Sequence, residues 1–468
     1  MAVRCRKGNY MSNLTIVLII LVIYMALMVL IGLQGRKHSS NMQDFLTAGK
    51  QGTLLLVTGS YMGSHIGNGI VVGGAEYGAT YGIGGMWYGV GAAISFYLFA
   101  IFMARVVYRN NYVTLSDLLE QRYGDKMTSI AVALLNAVSN IAVMAGQIMA
   151  GERLFQYIGL NPLAGAIATT TIVIIYSSLS GLWGVMMTDV IQVTVIVISV
   201  IATMIFIATQ GGFAIMAQNL PATSFEMIPF DGETFIMMLG PTALFGLVSS
   251  TGFQRTVSCK KEKTAIMAPI LGASLILLFV PLPVMIGMYG KALWPDAASG
   301  TIIFQVLFEA MPPLLAGLLI ASICAAVMST SDGILVTVTA NIVSDIYHKH
   351  INPDANEKSL GRLSRISSVV IGIFALIIAL QFSSLISLLS LSYTLITAGG
   401  LVMIVGAIFW KKATRQGALA SFIAGVACVV INKMGVSLPY ASVFPLIPSF
   451  LAYVIVSLMT QNKNEAAV

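Results

Sequence analysis

Runs of apolar residues recur along the whole chain, and short polar segments separate them. Most runs are about 20 residues long, the length of helix that crosses the hydrocarbon core of a bilayer. The pattern therefore predicts an all-α membrane protein with about thirteen transmembrane helices. The predicted spans are 14–34, 53–78, 81–108, 127–155, 162–182, 185–208, 235–254, 265–290, 313–346, 367–381, 383–410, 416–434 and 443–460.

The composition agrees with a membrane protein. Of the 468 residues, 57% are hydrophobic and only 9% are charged, whereas soluble proteins carry about 25% charged residues. The 25 basic against 18 acidic residues indicate cytoplasmic loops and not contact with nucleic acid. The cysteines have no paired spacing, which argues against a disulfide framework or a metal site.

Lys and Arg concentrate in every second loop, which predicts an external N-terminus and a cytoplasmic C-terminus. Arg255 counts among the cytoplasmic loop charges, and Arg153 among the few on the other side. Three basic residues precede Met11 and break this rule. We therefore expect Met11 to be the true start of the protein.

Two spans are interrupted by residues that weaken a helix. Span 53–78 contains "GSYMGSHIGNGIVVGG", and span 235–254 contains Gly240, Pro241 and Gly246. Close packing of small residues would explain the glycines, but not His65 and Asn68 among them. Unwound backbone at membrane depth is tolerated where it lines a cavity or is buried in protein. Both spans are therefore predicted to be broken helices.

The two broken helices are five spans apart, which predicts a five-plus-five inverted repeat with a binding site at mid-membrane. One repeat covers 53–208 and the other covers 235–410. Helix 14–34 precedes them, helices 416–460 follow, and 1–468 is expected to form a single transmembrane domain.

The stretch "CAAVMSTSDG" (324–333) places several polar side chains in a very apolar span. Ala326, Ser329 and Asp332 are three residues apart and share one helix face, with Thr330 beside them. That face offers a carbonyl, hydroxyls and a carboxylate to a cation. A hydroxyl can instead bond to the carbonyl four residues earlier, and we expect this for Ser331. Carboxylates inside a membrane are functional by default.

Asp189 is a second carboxylate, in "TDVIQ" near the start of span 185–208. A carboxylate in the first turn of a helix can have capping as its sole role. It can also take part in ion coupling or hold a structural ion. The sequence leaves both interpretations open.

Six short segments of the chain form a recognisable set. They are "TLSDLLEQRYG" (114–124), "TDVIQ" (188–192), "FQRT" (253–256), "AAVMST" (325–330), "SDIY" (344–347) and "GALASFIAG" (417–425). Together they resemble the sodium:solute symporter family, whose members include proline, pantothenate, sialic acid and galactose symporters. The resemblance runs from about residue 14 to 460 and looks closest to the pantothenate and proline branch.

The resemblance implies a sodium site made of backbone carbonyls and two hydroxyls. The carbonyls belong to Gly63, Ile66 and Ala326, and the hydroxyls belong to Ser329 and Thr330.

Some family members have a second sodium site, which uses the aspartate matching Asp189 and serines after the "MST" run. Here Asp332 and Gly333 stand where those serines would be. Asp332 could then form a charged sodium site with Asp189, or it could carry a proton.

The substrate is expected between the two broken helices. The candidate residues, by position, are His65, Asn68, Gly69, Ser249, Ser250 and Thr251. The polar, nearly uncharged lining matches no residue of the family's sugar site, and the resemblance to the pantothenate branch implies a small organic acid or zwitterion.

The leading hypothesis is a symporter in the bacterial cytoplasmic membrane that imports this solute with Na⁺ as coupling ion. Its expected partners are the small solute and the lipid bilayer, and the sequence does not indicate an oligomeric state. One alternative is proton coupling through Asp332. Another, more remote, is an intramembrane enzyme, but neither Asp189 nor Asp332 has a catalytic partner at motif spacing.

Overall fold

The computed structural model describes residues 19–20, 22–28, 30–31, 46–177 and 181–461. Met11 and parts of the predicted helix 14–34 lie outside these residues. Within them the secondary structure is helical, apart from one isolated bridge between Gly52 and Cys259.

Twenty α-helices follow one another from residue 54 onward in the described chain. The first ten are α1 Leu54–His65, α2 Asn68–Tyr81, α3 Trp87–Leu98, α4 Ala104–Asn110, α5 Leu115–Tyr123, α6 Lys126–Tyr157, α7 Pro162–Ser177, α8 Leu182–Thr209, α9 Gly212–Asn219 and α10 Gly232–Phe245. The others are α11 Ser250–Val257, α12 Glu262–Phe279, α13 Pro281–Leu293, α14 Ile302–Gln305, α15 Pro313–Thr339, α16 Glu357–Ala379, α17 Leu385–Ile396, α18 Val402–Phe409, α19 Arg415–Lys433 and α20 Leu446–Met459.

Shorter 3₁₀ and π segments join or extend these helices. The 3₁₀ turns are Ala48–Lys50, Gly82–Met86, Ala222–Phe225, Gly246–Val248 and Ser299–Thr301. The π segments are Phe99–Met103, Val306–Ala310, Ala340–Ile351 and Thr397–Leu401.

Eight helical stretches of the described chain are long and apolar enough to cross a membrane. The pair Gly232–Val248 and Ser250–Val257, bent by 41°, gives a ninth. The all-α membrane fold is therefore confirmed, whereas the count of thirteen, the orientation and the division into repeats stay predictions.

Polar side chains set where several helices begin. The hydroxyl of Thr53 accepts a hydrogen bond from the N–H of Leu56, ahead of α1. Thr114 and Asp117 form a capping box at the start of α5. Asp231 accepts the N–H of Thr234 ahead of α10, and this hydrogen bond lowers the pKa of the Asp231 carboxyl. Such caps satisfy the N–H groups that the first turn of a helix leaves unpaired.

Helix α15, which carries the "CAAVMSTSDG" stretch, belongs to the most buried of the apolar spans. It packs mainly against α8 and α6, and it also contacts α1 and α2. The polar residues of that stretch therefore face other helices and not lipid.

Arg255 and Arg153 were counted as loop charges, but both are buried. Their assignment to loops on the two sides of the membrane is therefore wrong. Arg255 is completely buried in α11. Arg153 lies within α6 and forms a 2.7 Å ion pair with Glu76. Each is paired with a carboxylate inside the protein, and buried charges are tolerated only in such pairs. A count of charges along the sequence cannot show this.

Candidate cation and substrate site

The first broken helix is interrupted at Ile66 and Gly67, between α1 and α2. The N–H of Ile66 still bonds to the carbonyl of Met62, at 2.7 Å. The carbonyl of Ile66 accepts no hydrogen bond from the part of the chain that the structure describes. Gly67 is extended and provides no side-chain cap for α2. The break therefore leaves a buried backbone oxygen available to a ligand.

Ser329 on α15 contacts this region directly. Its hydroxyl lies 2.9 Å from the carbonyl oxygen of Gly63 and 3.2 Å from that of Ala326, within donating distance of both. All three residues are buried. The Ser329 hydroxyl thus lies within hydrogen-bonding distance of two other predicted sodium ligands.

Thr330 supplies another oxygen at the same break. Its hydroxyl is buried and has no hydrogen-bond partner among the described residues. A Cβ added to Gly67 would lie only 2.1 Å from this hydroxyl oxygen. The hydroxyl therefore faces the interruption, and only glycine at position 67 leaves room for it.

These oxygens are suited to a monovalent cation. Unwound carbonyls at a helix break can coordinate Na⁺ in transporters. The Thr330 hydroxyl and the Ile66 carbonyl have no hydrogen-bond partner among the residues that the structure describes, and a buried polar atom without a partner is costly. A bound cation would satisfy both, so the residues present fit the implied ion.

Asp189 lies next to this set of oxygens. Its Oδ2 accepts a 2.5 Å hydrogen bond from the hydroxyl of Ser60 and lies 3.3 Å from Nη2 of Arg255. Arg255 Nε also donates to Ser60 Oγ, at 2.8 Å. A Cβ on Gly63 would be 3.0 Å from the Asp189 carboxylate. A buried ion pair therefore borders the predicted sodium site.

The interpretation of Asp189 as a helix cap is wrong. The N-cap of α8 is Gly181, and no side chain among the described residues caps this helix end. Asp189 lies about two turns further along. Its partners are side chains of other helices, which leaves a coupling or structural role.

The residue that follows Asp332 on α15, Gly333, lies close to the same guanidinium group. Asp332 is completely buried, and a Cβ on Gly333 would lie 3.3 Å from Arg255 Nη2. Ser331, between the sodium ligands and Asp332, donates to the carbonyl of Val327 at 2.7 Å. This confirms the self-satisfied hydroxyl expected for Ser331.

His65 lies at the end of α1 and faces aromatic rings. Its ring centroid is 4.2 Å from that of Phe96 and 6.1 Å from that of Phe245, at the end of α10. Its Nδ1 is 3.2 Å from the hydroxyl of Ser64. His65 therefore links the two broken helices through an aromatic contact.

Asn68 and Gly69, at the start of α2, are tightly enclosed. The Asn68 N–H donates to Gln147 Oε1 at 3.1 Å, and its side-chain amide donates to the carbonyl of Gly146 at 2.9 Å. A Cβ on Gly69 would lie 2.9 Å from the Tyr88 hydroxyl. These two candidates thus lie against α6 and α3.

The substrate candidates in the second broken helix, Ser249, Ser250 and Thr251, form hydrogen bonds within that helix and with α6. Ser249 Oγ lies 2.9 Å from Thr251 Oγ1 and accepts the N–H of Gly252 at 3.2 Å. Ser250 Oγ accepts a 2.8 Å hydrogen bond from the amide of Asn136. Asn136 and Gln147 are about 16 Å apart along α6, at 1.5 Å per residue. The structure therefore does not place Asn68 beside Ser250.

Several polar residues of this region were missed in the sequence. Arg255 was interpreted as a loop charge, and Ser60 was not considered. Asn136 and Gln147 are amides inside the apolar span 127–155. Polar residues within an apolar run were the available signal, since such residues need partners inside the protein.

Ion pairs join helices at other places too, and Glu262 on α12 pairs with Arg105 and Arg109 on α4. Arg153 bonds to Glu76 on α2 and donates to the carbonyl of Ser383 at 3.0 Å, just before α17. Lys349 follows α15 and pairs with Asp117 and with Glu120 on α5. These contacts lie away from the helix breaks and connect elements that are distant in sequence.

Comparison with protein families gives one match over most of the chain. The sequence model of the sodium:solute symporter family matches residues 45–425. This range contains both broken helices, the Asp189–Arg255 pair and the polar stretch of α15.

Individual relatives agree with this match. The chain is 27% identical to a sodium/proline symporter of Haemophilus influenzae, covering 96% of this chain and 95% of that protein. It is 26% identical to a sodium/pantothenate symporter of the same organism, covering 75% of each. A solved Na⁺-coupled sialic acid symporter superposes with a TM-score of 0.80 at 19% identity, covering 95% of this chain and 98% of that one.

Proposed function

Because the chain belongs to the sodium:solute symporter family, we propose that it imports a small organic acid or zwitterion together with Na⁺ by alternating access. Na⁺ is the coupling ion of this family, and the named relatives are transporters and not enzymes. One observation carries the proposal for the cation. The hydroxyl of Ser329 lies within hydrogen-bonding distance of the carbonyls of Gly63 and Ala326. The Thr330 hydroxyl, which has no hydrogen-bond partner in the described part of the chain, faces the break.

Gly63, Ile66, Ala326, Ser329 and Thr330 are the proposed Na⁺ ligands. All five contribute neutral oxygens, which attract a cation without a full opposing charge and so permit its release on the other side. Inward movement of one charge gains about 2.3 kcal/mol per 100 mV of membrane potential. The ion gradient adds to this energy and drives the solute inward.

At the first break, the proposed solute contacts are His65, Asn68 and Gly69. Ser249, Ser250 and Thr251 at the second break stay proposed contacts, but a small solute beside Asn68 does not reach Ser250 in this conformation, since their partners Gln147 and Asn136 are about 16 Å apart along α6. Proline and pantothenate, the solutes in the relatives' names, both carry a carboxylate. The N-terminus of a half-helix attracts an anionic group, and α2 begins with Asn68 at such an end. The Asn68 N–H donates to Gln147 Oε1, so a carboxylate would have to replace this contact, and Gln147 joins the candidates.

Asp189 and Asp332 are proposed to serve a second cation or a proton. The single positive charge of Arg255 pairs with Asp189 and borders residue 333. Proton coupling through Asp332 would then accompany Na⁺ coupling or modify it. The proposed setting is the bacterial cytoplasmic membrane, with the N-terminus outside and no role for nucleic acid.

The test is uptake into liposomes that contain the purified full-length protein. Radiolabelled proline, pantothenate and other small carboxylates are supplied with an inward Na⁺ gradient, or with choline in place of Na⁺. We expect uptake of at least one carboxylate with Na⁺ and none with choline. Equal uptake in both salts would contradict sodium coupling, and Asp332→Asn in a pH series then tests the proton alternative.

A further inference from the structure

A cavity of about 470 Å³ lies between α4, α5 and α18, away from both helix breaks. Apolar side chains form part of its wall, and polar side chains line the rest. Those that matter here are Val106, Leu118, Ala407, Ile408, Asn110 and Arg122. The cavity therefore combines an apolar surface with one full positive charge.

The cavity lies where two membrane spans end. The span that starts at Asn68 ends at Asn110, and the span that starts at Leu385 ends at Phe409. The rings of Phe102 and Phe409 meet edge to face beside it, with centroids 6.2 Å apart, and both side chains are exposed. Exposed phenyl rings suit the hydrocarbon, whereas the Arg and Lys residues past the span ends suit the headgroup region. The cavity thus lies at the depth of the lipid headgroups.

The guanidinium group of Arg122 is anchored through only one of its three nitrogen atoms in the described chain. Its Nη2 donates to the carbonyls of Trp410 and Lys411, at 3.4 and 2.9 Å. Its Nε and Nη1 donate to no atom of the described chain. The free Nε–H and Nη1–H groups can each donate a charge-assisted hydrogen bond to a phosphate oxygen. The anchored group is therefore oriented and still able to bind phosphate.

The charges around the cavity favour an anion. None of the residues that line it is acidic. Lys411 and Lys412 follow the carbonyl contact of Arg122 and are exposed. The nearby carboxylate of Glu262 is paired with Arg105 and Arg109. Positive charge at the headgroup level attracts anionic lipids.

We propose that this cavity binds the headgroup of an anionic phospholipid. Arg122 receives the phosphate, the side chains of Lys411 and Lys412 add positive charge, and the acyl chains leave along the exposed face of Phe102 and Phe409. This site is separate from the transport site and does not depend on the proposed function.

The test measures thermal stabilisation of the purified full-length protein in detergent by added lipid. Phosphatidylglycerol is compared with phosphatidylcholine, and inorganic phosphate and glycerol phosphate are added separately. We expect phosphatidylglycerol to raise the melting temperature at lower concentration than phosphatidylcholine does. Equal stabilisation by the two lipids overturns the proposal, and so does full stabilisation by free phosphate, since that indicates an ion site.

Variants test whether the stabilisation by phosphatidylglycerol arises at this cavity. Arg122→Gln should raise the phosphatidylglycerol concentration for half-maximal stabilisation about five-fold, the factor expected for one basic residue near the surface. Lys411→Gln combined with Lys412→Gln leaves the backbone carbonyls in place and should weaken binding as well, even if Arg122→Gln fails to fold. Arg362→Gln, an exposed arginine in α16, is the control. Wild-type lipid dependence in both test variants overturns the proposal.

Discussion

The two broken helices differ in whether the polar atoms at the break have hydrogen-bond partners. At the first break, the Ile66 carbonyl and the Thr330 hydroxyl have no partner in the described chain. At the second break, Ser249 accepts the N–H of Gly252 and contacts the hydroxyl of Thr251. A helix break is thus a candidate ion site only where its oxygens remain available, and the second break is largely closed by its own side chains.

One residue connects the two breaks. Arg255, on α11, donates to the carbonyl of Thr251 in the second broken helix, at 3.2 Å. It also donates to Ser60 in the first broken helix and pairs with Asp189 on α8. The helices that carry the two breaks are therefore fastened to each other beside the proposed cation site.

Removing the contacts of Arg255 should have the largest effect on the stability of the protein. We expect Arg255→Gln to destabilise the protein by about 3–5 kcal/mol, because it leaves the Asp189 carboxylate buried without its charged partner. The measurement is the free energy of unfolding in detergent, with Arg362→Gln as an exposed control.

The double variant Arg255→Gln with Asp189→Asn removes both charges of this pair. It should recover part of the lost stability, because no unpaired charge remains in that pair. A single variant as stable as the wild type would contradict the connecting role of Arg255.

The next prediction compares the space available at the two breaks, by replacing a glycine with alanine at each. Gly67→Ala places a Cβ 2.1 Å from the Thr330 hydroxyl and should abolish Na⁺-dependent uptake by displacing that oxygen. Gly252→Ala in the second broken helix brings a Cβ 3.1 Å from the ring of Phe99 and should leave the Na⁺ requirement unchanged.

Gly361→Ala is the control for these glycine variants. A Cβ there meets nothing within 4 Å, and replacing a helical glycine by alanine stabilises a helix by up to about 1 kcal/mol. Transport by Gly67→Ala with the Na⁺ dependence of the wild type would rule out the cation site at this break.

A smaller change tests the hydroxyl itself. Thr330→Ala should raise the Na⁺ concentration for half-maximal uptake about ten-fold or more, since contacts to a charged group contribute about 1.5–3 kcal/mol. Thr330→Ser keeps the hydroxyl and should retain most of the sodium affinity. Uptake assays over a range of Na⁺ concentrations check both, and equal affinity in Thr330→Ala and the wild type would remove Thr330 from the ligand set.

The sequence was sufficient to predict the interruptions and the face of α15 that meets the first break. Glycine, His65 and Asn68 stand out in an apolar run because each is costly in a membrane helix. The partners of buried polar groups were not predictable, because they are distant along the chain. Arg255 and Ser60 are 195 residues apart, and an arginine directly after an apolar run has the same local pattern as a loop residue.

The last prediction concerns the side chain that closes the second break. Ser249→Ala removes the hydroxyl that accepts the Gly252 N–H, and loss of such an N-cap costs about 1 kcal/mol. We expect a modest fall in the melting temperature and an unchanged Na⁺ concentration for half-maximal uptake. Thermal unfolding and uptake measured on the same preparation check this. A shift in sodium affinity as large as that of Thr330→Ala would show that the second break also holds the ion, and the two breaks would then not differ in function.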